Sequence, residues 1–95
     1  MAEAAESLRL DKFLWFARIV KTRALAQIMA EDGRLRLNGR PVDKAHAPVR
    51  VGDVLGFARH GEVRVLKIEA LPLRRGPPAE ARTLYSELTS EAGQA

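Results

Sequence analysis

Between Arg9 and Arg40 the chain places eight basic residues: Arg9, Lys12, Arg18, Lys21, Arg23, Arg34, Arg36 and Arg40. Guanidinium and ammonium groups at this density suit one kind of chemistry, the neutralisation and forked hydrogen bonding of phosphate oxygens. They fall into three groups. Arg9 and Lys12 start a first helical pattern, Arg18, Lys21 and Arg23 straddle a corner, and Arg34, Arg36 and Arg40 lead to and from an Asn38-Gly39 turn. Backbone amides around Thr22 and Arg23 would add a phosphate site at the start of a second helix. If the helices pack over a sheet, the three groups can converge on one surface.

No comparable set points to catalysis. His46 and His60 are the only histidines and stand apart without a carboxylate pattern that could hold a metal. The serines Ser7, Ser86 and Ser90 lie in peripheral segments, no Gly-rich phosphate loop is present, and Glu31-Asp32 reads as the solvated end of a helix. The absence of cysteine removes disulfides, thiolate catalysis and Cys-based zinc sites together. The expectation is a protein without enzymatic activity, cofactor or metal.

The charge is unevenly distributed. Of the net +4, residues 1–8 and 76–95 each contribute −2, so Arg9 to Arg75 hold fifteen bases against seven acids, a net +8. A basic body of this size calls for a polyanionic partner, and nucleic acid is the commonest one. The longest stretch without a charged residue is "ALAQIMA", far short of a membrane span. The start, "MAEAAESL", lacks the basic and apolar regions of a signal peptide. No membrane association is expected, and the expected compartment is the cytoplasm.

The elements that must position these cations follow from periodicity. Leu10, Phe13, Leu14, Ala17 and Val20 recur at helical steps, which predicts a buried face from Leu10 to Val20 with Asp11, Trp15 and Arg18 opposite it. Thr22 is the predicted N-cap of a second helix that buries Leu25, Ile28 and Met29 and ends near Gly33. "RLRLNGRPV" alternates as a half-buried strand into a hairpin, because Asn-Gly suits the two positive φ angles of a type I′ turn. "VGDVLGFAR" and "EVRVLKIEAL" read as further strands joined by His60-Gly61, with a slip of the alternation near Leu66. "PLRRGPP" is a linker or clamp, and "AEARTLYSEL" is predicted to be a short amphipathic helix laid back on the body.

The fold class is therefore α+β: two N-terminal helices on a small, mostly antiparallel sheet of about four to five strands, plus a short C-terminal helix. The expected domain spans residues 8–71, followed by a linker and helix over 72–90, with residues 1–7 and 91–95 disordered. Asp11 reads as a helix-start acid or an orienting partner for a neighbouring Arg. Trp15 is open between stacking on an unpaired base and packing under the C-terminal helix near Tyr85.

In order and spacing, "RLDKFL", "KTRALAQIM", "DGRLRLNGRPV" and "VGDVL" resemble the S-four RNA-binding domain over residues 8–57. With "RLDKFLWFARIVKTR" and "RRGPPAEARTLYSE" the chain is similar to the bacterial ribosome-associated heat-shock protein fifteen family, although it ends in an uncharged "AGQA" where family tails tend to be longer and basic. The resemblance implies an αL-type fold. It implies a partner in structured ribosomal RNA of the large subunit, in rescue or recycling of subunits carrying nascent-chain transfer RNA, with the transfer RNA as a further contact. Carried over position by position, the RNA-facing set is Arg9, Lys12, Arg18, Lys21, Thr22, Arg23, Gln27, Arg34, Arg36, Asn38 and Arg40. Alternatives are an accessory fragment of an RNA-modifying enzyme, or binding to duplex DNA, which charge alone does not distinguish from RNA. The chain is expected to act as a monomer.

Overall fold

The computed structural model describes residues 6–59 and 61–88. A short strand β1 (Leu8–Arg9) leads directly into helix α1 (Leu10–Phe16) and then α2 (Arg23–Glu31). Strands β2 (Arg36–Leu37), β3 (Arg40–Pro41), β4 (Pro48–Val49), β5 (Val54–Arg59) and β6 (Glu62–Ile68) follow. After them come helix α3 (Pro78–Ala81), a 3₁₀ turn (Arg82–Leu84) and strand β7 (Tyr85–Glu87). One antiparallel sheet has the order β3-β2-β5-β6-β7, and β1 pairs with β4 in a second, two-stranded one. This is the expected α+β architecture. Among the described residues no helix is long and apolar enough to cross a membrane.

Helix α1 is anchored by loop backbone rather than by a capping side chain. The Leu10 amide donates to the Ala47 carbonyl at 2.8 Å and the Asp11 amide to the Ala45 carbonyl at 3.0 Å. Its far end closes at Phe16, earlier than the periodicity to Val20 predicts. There the Arg18 amide donates to the Trp15 carbonyl (3.1 Å), the Ile19 amide to the Leu14 carbonyl (3.0 Å), and Arg18 takes a left-handed φ of 59°. That pairing is a Schellman cap with Arg where glycine is usual. Ile19 and Val20 stay buried because the chain turns back over the core, so apolar spacing outlasts the helix.

Thr22 caps α2 as predicted, its Oγ1 accepting from the Leu25 amide at 3.0 Å. The buried face differs from the expectation: Ala26 and Ala30 are buried and Met29 is half-buried, whereas Leu25 and Ile28 are exposed. Two alanines on one side let α2 approach the body closely, and the larger residues are turned outward. Gly33 takes the left-handed C-terminal position at φ 84°.

Asn38 (φ 53°) and Gly39 (φ 85°) make the predicted type I′ hairpin between β2 and β3. Strands β5 and β6 pair without a bulge from Val54↔Lys67 to Arg59↔Glu62, with His60 of their turn outside the described residues. The apparent slip near Leu66 therefore has another cause. Leu66 and Ile68 face the core with Leu55 and Phe57, while Val63 and Val65 point to the opposite face.

The predicted C-terminal helix shortens to a single turn. Thr83 donates its hydroxyl to the Glu80 carbonyl at 2.7 Å, and the chain then extends so that Tyr85–Glu87 pairs with the edge of β6. A helical continuation would leave that edge unpaired. Arg64 fixes the pairing with a two-point bridge to Glu87, at 3.0 and 2.8 Å. Arg64 is held above and Glu87 below its ordinary pKa, chiefly by the hydrogen bonds between them. The expected disorder at residues 1–7 and 91–95 lies almost entirely outside the described residues.

Candidate nucleic-acid interface

The carboxylate of Asp11 is the only buried charged or polar side chain among the described residues, with no exposed surface. Periodicity placed it on the outward side of α1, yet α2 covers that side. An isolated buried carboxylate is costly, and this one is compensated by donors from two elements. Arg9 forks onto it, Nε to Oδ1 at 3.1 Å and Nη2 to Oδ2 at 3.0 Å. From α2, Arg23 Nη2 reaches Oδ2 at 3.2 Å and Gln27 Nε2 reaches the same oxygen at 3.4 Å. Burial pushes the Asp11 pKa up, and the hydrogen bonds from Arg9, Gln27 and Arg23 with the Arg23 charge outweigh it, so the group lies below its ordinary value.

The result is a carboxylate that serves as an orienting anchor, the second of the two roles the sequence allowed it. Two guanidinium groups around one carboxylate leave a surplus of one positive charge and hold their outer edges in fixed directions. Both arginines stay partly exposed, 46% for Arg9 and 34% for Arg23, although Arg23 Nε is buried without a partner among the described residues. Held planes of this kind suit bidentate phosphate recognition, because little rotamer freedom is left to lose.

Six of the other predicted residues divide among four places. Lys21 and Thr22 form the exposed turn before α2, next to the amides of Arg23 and Ala24, which have no carbonyl partner within the helix. Lys12 is half-buried beside the Asp11 cluster. Arg34 and Arg36 stand at the far flank of α2, over the open face of the sheet with Gly56, Ala58, Val63 and Val65. Arg40 is exposed on β3. The structure thus brings Arg9, Arg23 and Gln27 together and places Arg34 and Arg36 in a separate group.

Asn38 and Arg18 are also engaged within the fold, away from the Asp11 cluster. Asn38 Oδ1 accepts from the Val54 amide at 2.9 Å and its Nδ2 donates to Asp53 Oδ1 at 3.1 Å, so the side chain pins the hairpin to β5. Arg18 Nε donates to the Gly76 carbonyl at 2.6 Å. Arg75 completes this strap, its Nε donating to the Trp15 carbonyl at 3.0 Å and its guanidinium lying 5.5 Å from the Trp15 ring centre. "PLRRGPP" is therefore the clamp of the two options, and Trp15 packs half-buried against the core with one face toward Arg75.

Sequence reasoning missed the open face of β5 and β6. The signal that could have located it was the supposed slip, since Val63 and Val65 alternate correctly for the side away from the core. Among the described residues no group of three His, Asp or Glu side chains could hold a metal ion.

A two-helix corner on a small antiparallel sheet, with cations held at the corner, defines a class of compact α+β modules with a cationic helix corner. The S4 domain model matches residues 8–55, and the chain belongs to the S4 domain family. It is 42% identical over 88 residues to a heat shock protein 15 homolog of Haemophilus influenzae, covering 92% of this chain and 66% of that one. It is 39% identical over 83 residues to heat shock protein 15 of Escherichia coli K12, covering 87% of this chain and 62% of that one. The chain thus spans a little under two thirds of the length of these relatives. The RQC P-site tRNA stabilizing factor of Bacillus subtilis is 35% identical over 85 residues, covering 88% of this chain and 95% of that one. The trimeric structure of Vibrio cholerae heat shock protein 15 superposes with a TM-score of 0.84 at 34% identity, covering 94% of this chain and 89% of that one.

Proposed function

We propose that the chain is a non-enzymatic RNA-binding module that docks on structured ribosomal RNA of the large subunit. It would act in the rescue of stalled subunits that carry a nascent chain on transfer RNA. The observation that carries this reading is the Asp11 anchor, which holds the partly exposed Arg9 and Arg23 together at the α1–α2 corner. A buried carboxylate spent on orienting two arginines is well suited to a rigid, shaped polyanion. The relatives named for stabilising a P-site tRNA support the ribosomal setting and the cytoplasm as its compartment.

Co-sedimentation of the purified chain with separated ribosomal subunits tests the reading. Binding to the large subunit at low salt, weakening steeply as salt rises, is the expected outcome. Failure to bind either subunit would sink the ribosomal part, and preference for duplex DNA over structured RNA at equal salt would redirect the assignment to DNA. The sequence reading is of a monomer, whereas the Vibrio cholerae relative is described as trimeric. Sedimentation velocity of the free and subunit-bound chain distinguishes the two.

A further inference from the structure

The side of the sheet away from the core has a gap that the fold does not require. Arg36, Gly56 and Val65 stand in one row across β2, β5 and β6, and Ala58 pairs with Val63 in the next. Two strand spacings, about 9–10 Å, separate Arg36 from Val65, and Gly56 is the floor between them. The resulting shallow concavity has a volume of about 290 Å³. Val63 at its edge is 63% exposed.

Gly56 has no intramolecular reason to be glycine. Its φ is not positive, and a Cβ built on it would meet nothing within 4 Å. A glycine inside a strand costs conformational entropy and forgoes packing, and it often marks a place where something else approaches the backbone closely. The chemistry of that visitor is set by the rim. Among the described residues, Arg34 and Arg36 are the only charged ones that line the concavity, and no acid does. Arg36 uses one donor on the Gly39 carbonyl, at 3.3 Å, and its other N–H groups remain for an external acceptor.

A flat, bare peptide floor beside valine methyls and a guanidinium accommodates a planar, weakly polar ring, and two arginines at one edge complement a phosphate. We propose that this face holds one unpaired nucleotide of the bound RNA, its base laid on Gly56 between Arg36 and Val65 and its phosphate on Arg34 and Arg36. The proposal rests on the RNA-binding reading above and adds to it a second, chemically different subsite on the far flank of α2. Through this subsite the module distinguishes an RNA with an extruded base from a continuous helix.

The test compares two RNA hairpins of the same stem, one carrying a single unpaired uridine and one fully paired. The full chain is expected to bind the bulged hairpin about tenfold more tightly. Gly56→Val fills the floor with a residue that strands favour, and it should abolish the preference while leaving affinity for the paired hairpin in place and without lowering the melting temperature. Val63→Glu, at an exposed position, sets a carboxylate against the nucleotide and should do the same should the first variant fold poorly. Persistence of the preference in both variants overturns the proposal. So does equal binding of both hairpins by the unaltered chain, which leaves the RNA-binding reading standing. Binding to neither hairpin overturns the subsite and that reading together. If instead Val63→Glu lowers the sedimenting mass without changing the preference, the face is a contact between copies of this chain and the nucleotide site is wrong.

Discussion

The two flanks of α2 present arginines under opposite physical conditions. Toward α1, Arg9 and Arg23 are tied to a buried carboxylate and take part in holding the helix corner together. Toward the sheet, Arg34 and Arg36 rise from the surface with little to restrain them, beside a strand that is bare at Gly56. The first region joins stability to recognition, since the groups that meet phosphate also neutralise a core charge. The second separates them, and its two arginines should be replaceable at little cost to the fold. Substitutions should therefore sort by flank.

The largest effect is expected at Asp11. Replacing it by Asn turns an acceptor of four hydrogen bonds from three side chains into a group that competes with them, at a cost of about 2–3 kcal/mol. Thermal melting reads the loss, and RNA affinity should fall with it because Arg9 and Arg23 lose their fixed planes. No pair of substitutions at Arg34 and Arg36 should approach that cost in stability. The same anchor sets an acid limit. The Asp11 pKa lies lower in the folded chain than in the unfolded one, so protons bind the unfolded state more readily. Its contribution is complete above the ordinary carboxylate value and is lost as pH falls through the lower folded value. Melting temperature should consequently fall less steeply below about pH 4 in the Asp11→Asn variant than in the parent chain.

Salt dependence sharpens the comparison at a smaller scale. Alanine at both Lys21 and Arg23, or at both Arg34 and Arg36, removes two cations, and each pair should reduce the slope of log affinity against log salt by about two units. Only the first pair should also lower the melting temperature, by about 1 kcal/mol of stability, because Arg23 is a partner of Asp11 while Lys21 is exposed. Equal stability loss in both pairs would dissolve the distinction between the flanks.

What the sequence revealed follows the same division. Local rules placed Thr22 as a cap, Gly33 as a helix stop and Asn38-Gly39 as a type I′ turn, since each depends on the backbone within a few residues. The cation set was legible as a set because charge is counted in the sequence. Which of the predicted site residues are shared with the fold was not, because it depends on contacts across the chain. Arg18 meets Gly76, Arg23 meets Asp11, and Asn38 meets Val54. Burial of Asp11 was hidden for the same reason: on an isolated α1 it faces outward, and α2 supplies the cover. The rotated face of α2 escaped because alanines carry little weight in a hydrophobic pattern, yet Ala26 and Ala30 form the contact.

The smallest expected effect lies on the sheet flank and has the opposite sign. At Gly56 the backbone is compatible with any L-residue and the space above it is open, so Gly56→Ala should reduce the freedom of the unfolded chain without strain in the folded one. A gain of about 0.5 kcal/mol is expected, which a denaturant melt can resolve as a raised midpoint at constant slope. A loss would mean that the bare floor serves the fold, and the two flanks of α2 would then differ only in degree. A gain would mean that glycine is kept there against stability, as a surface shaped for something outside the chain.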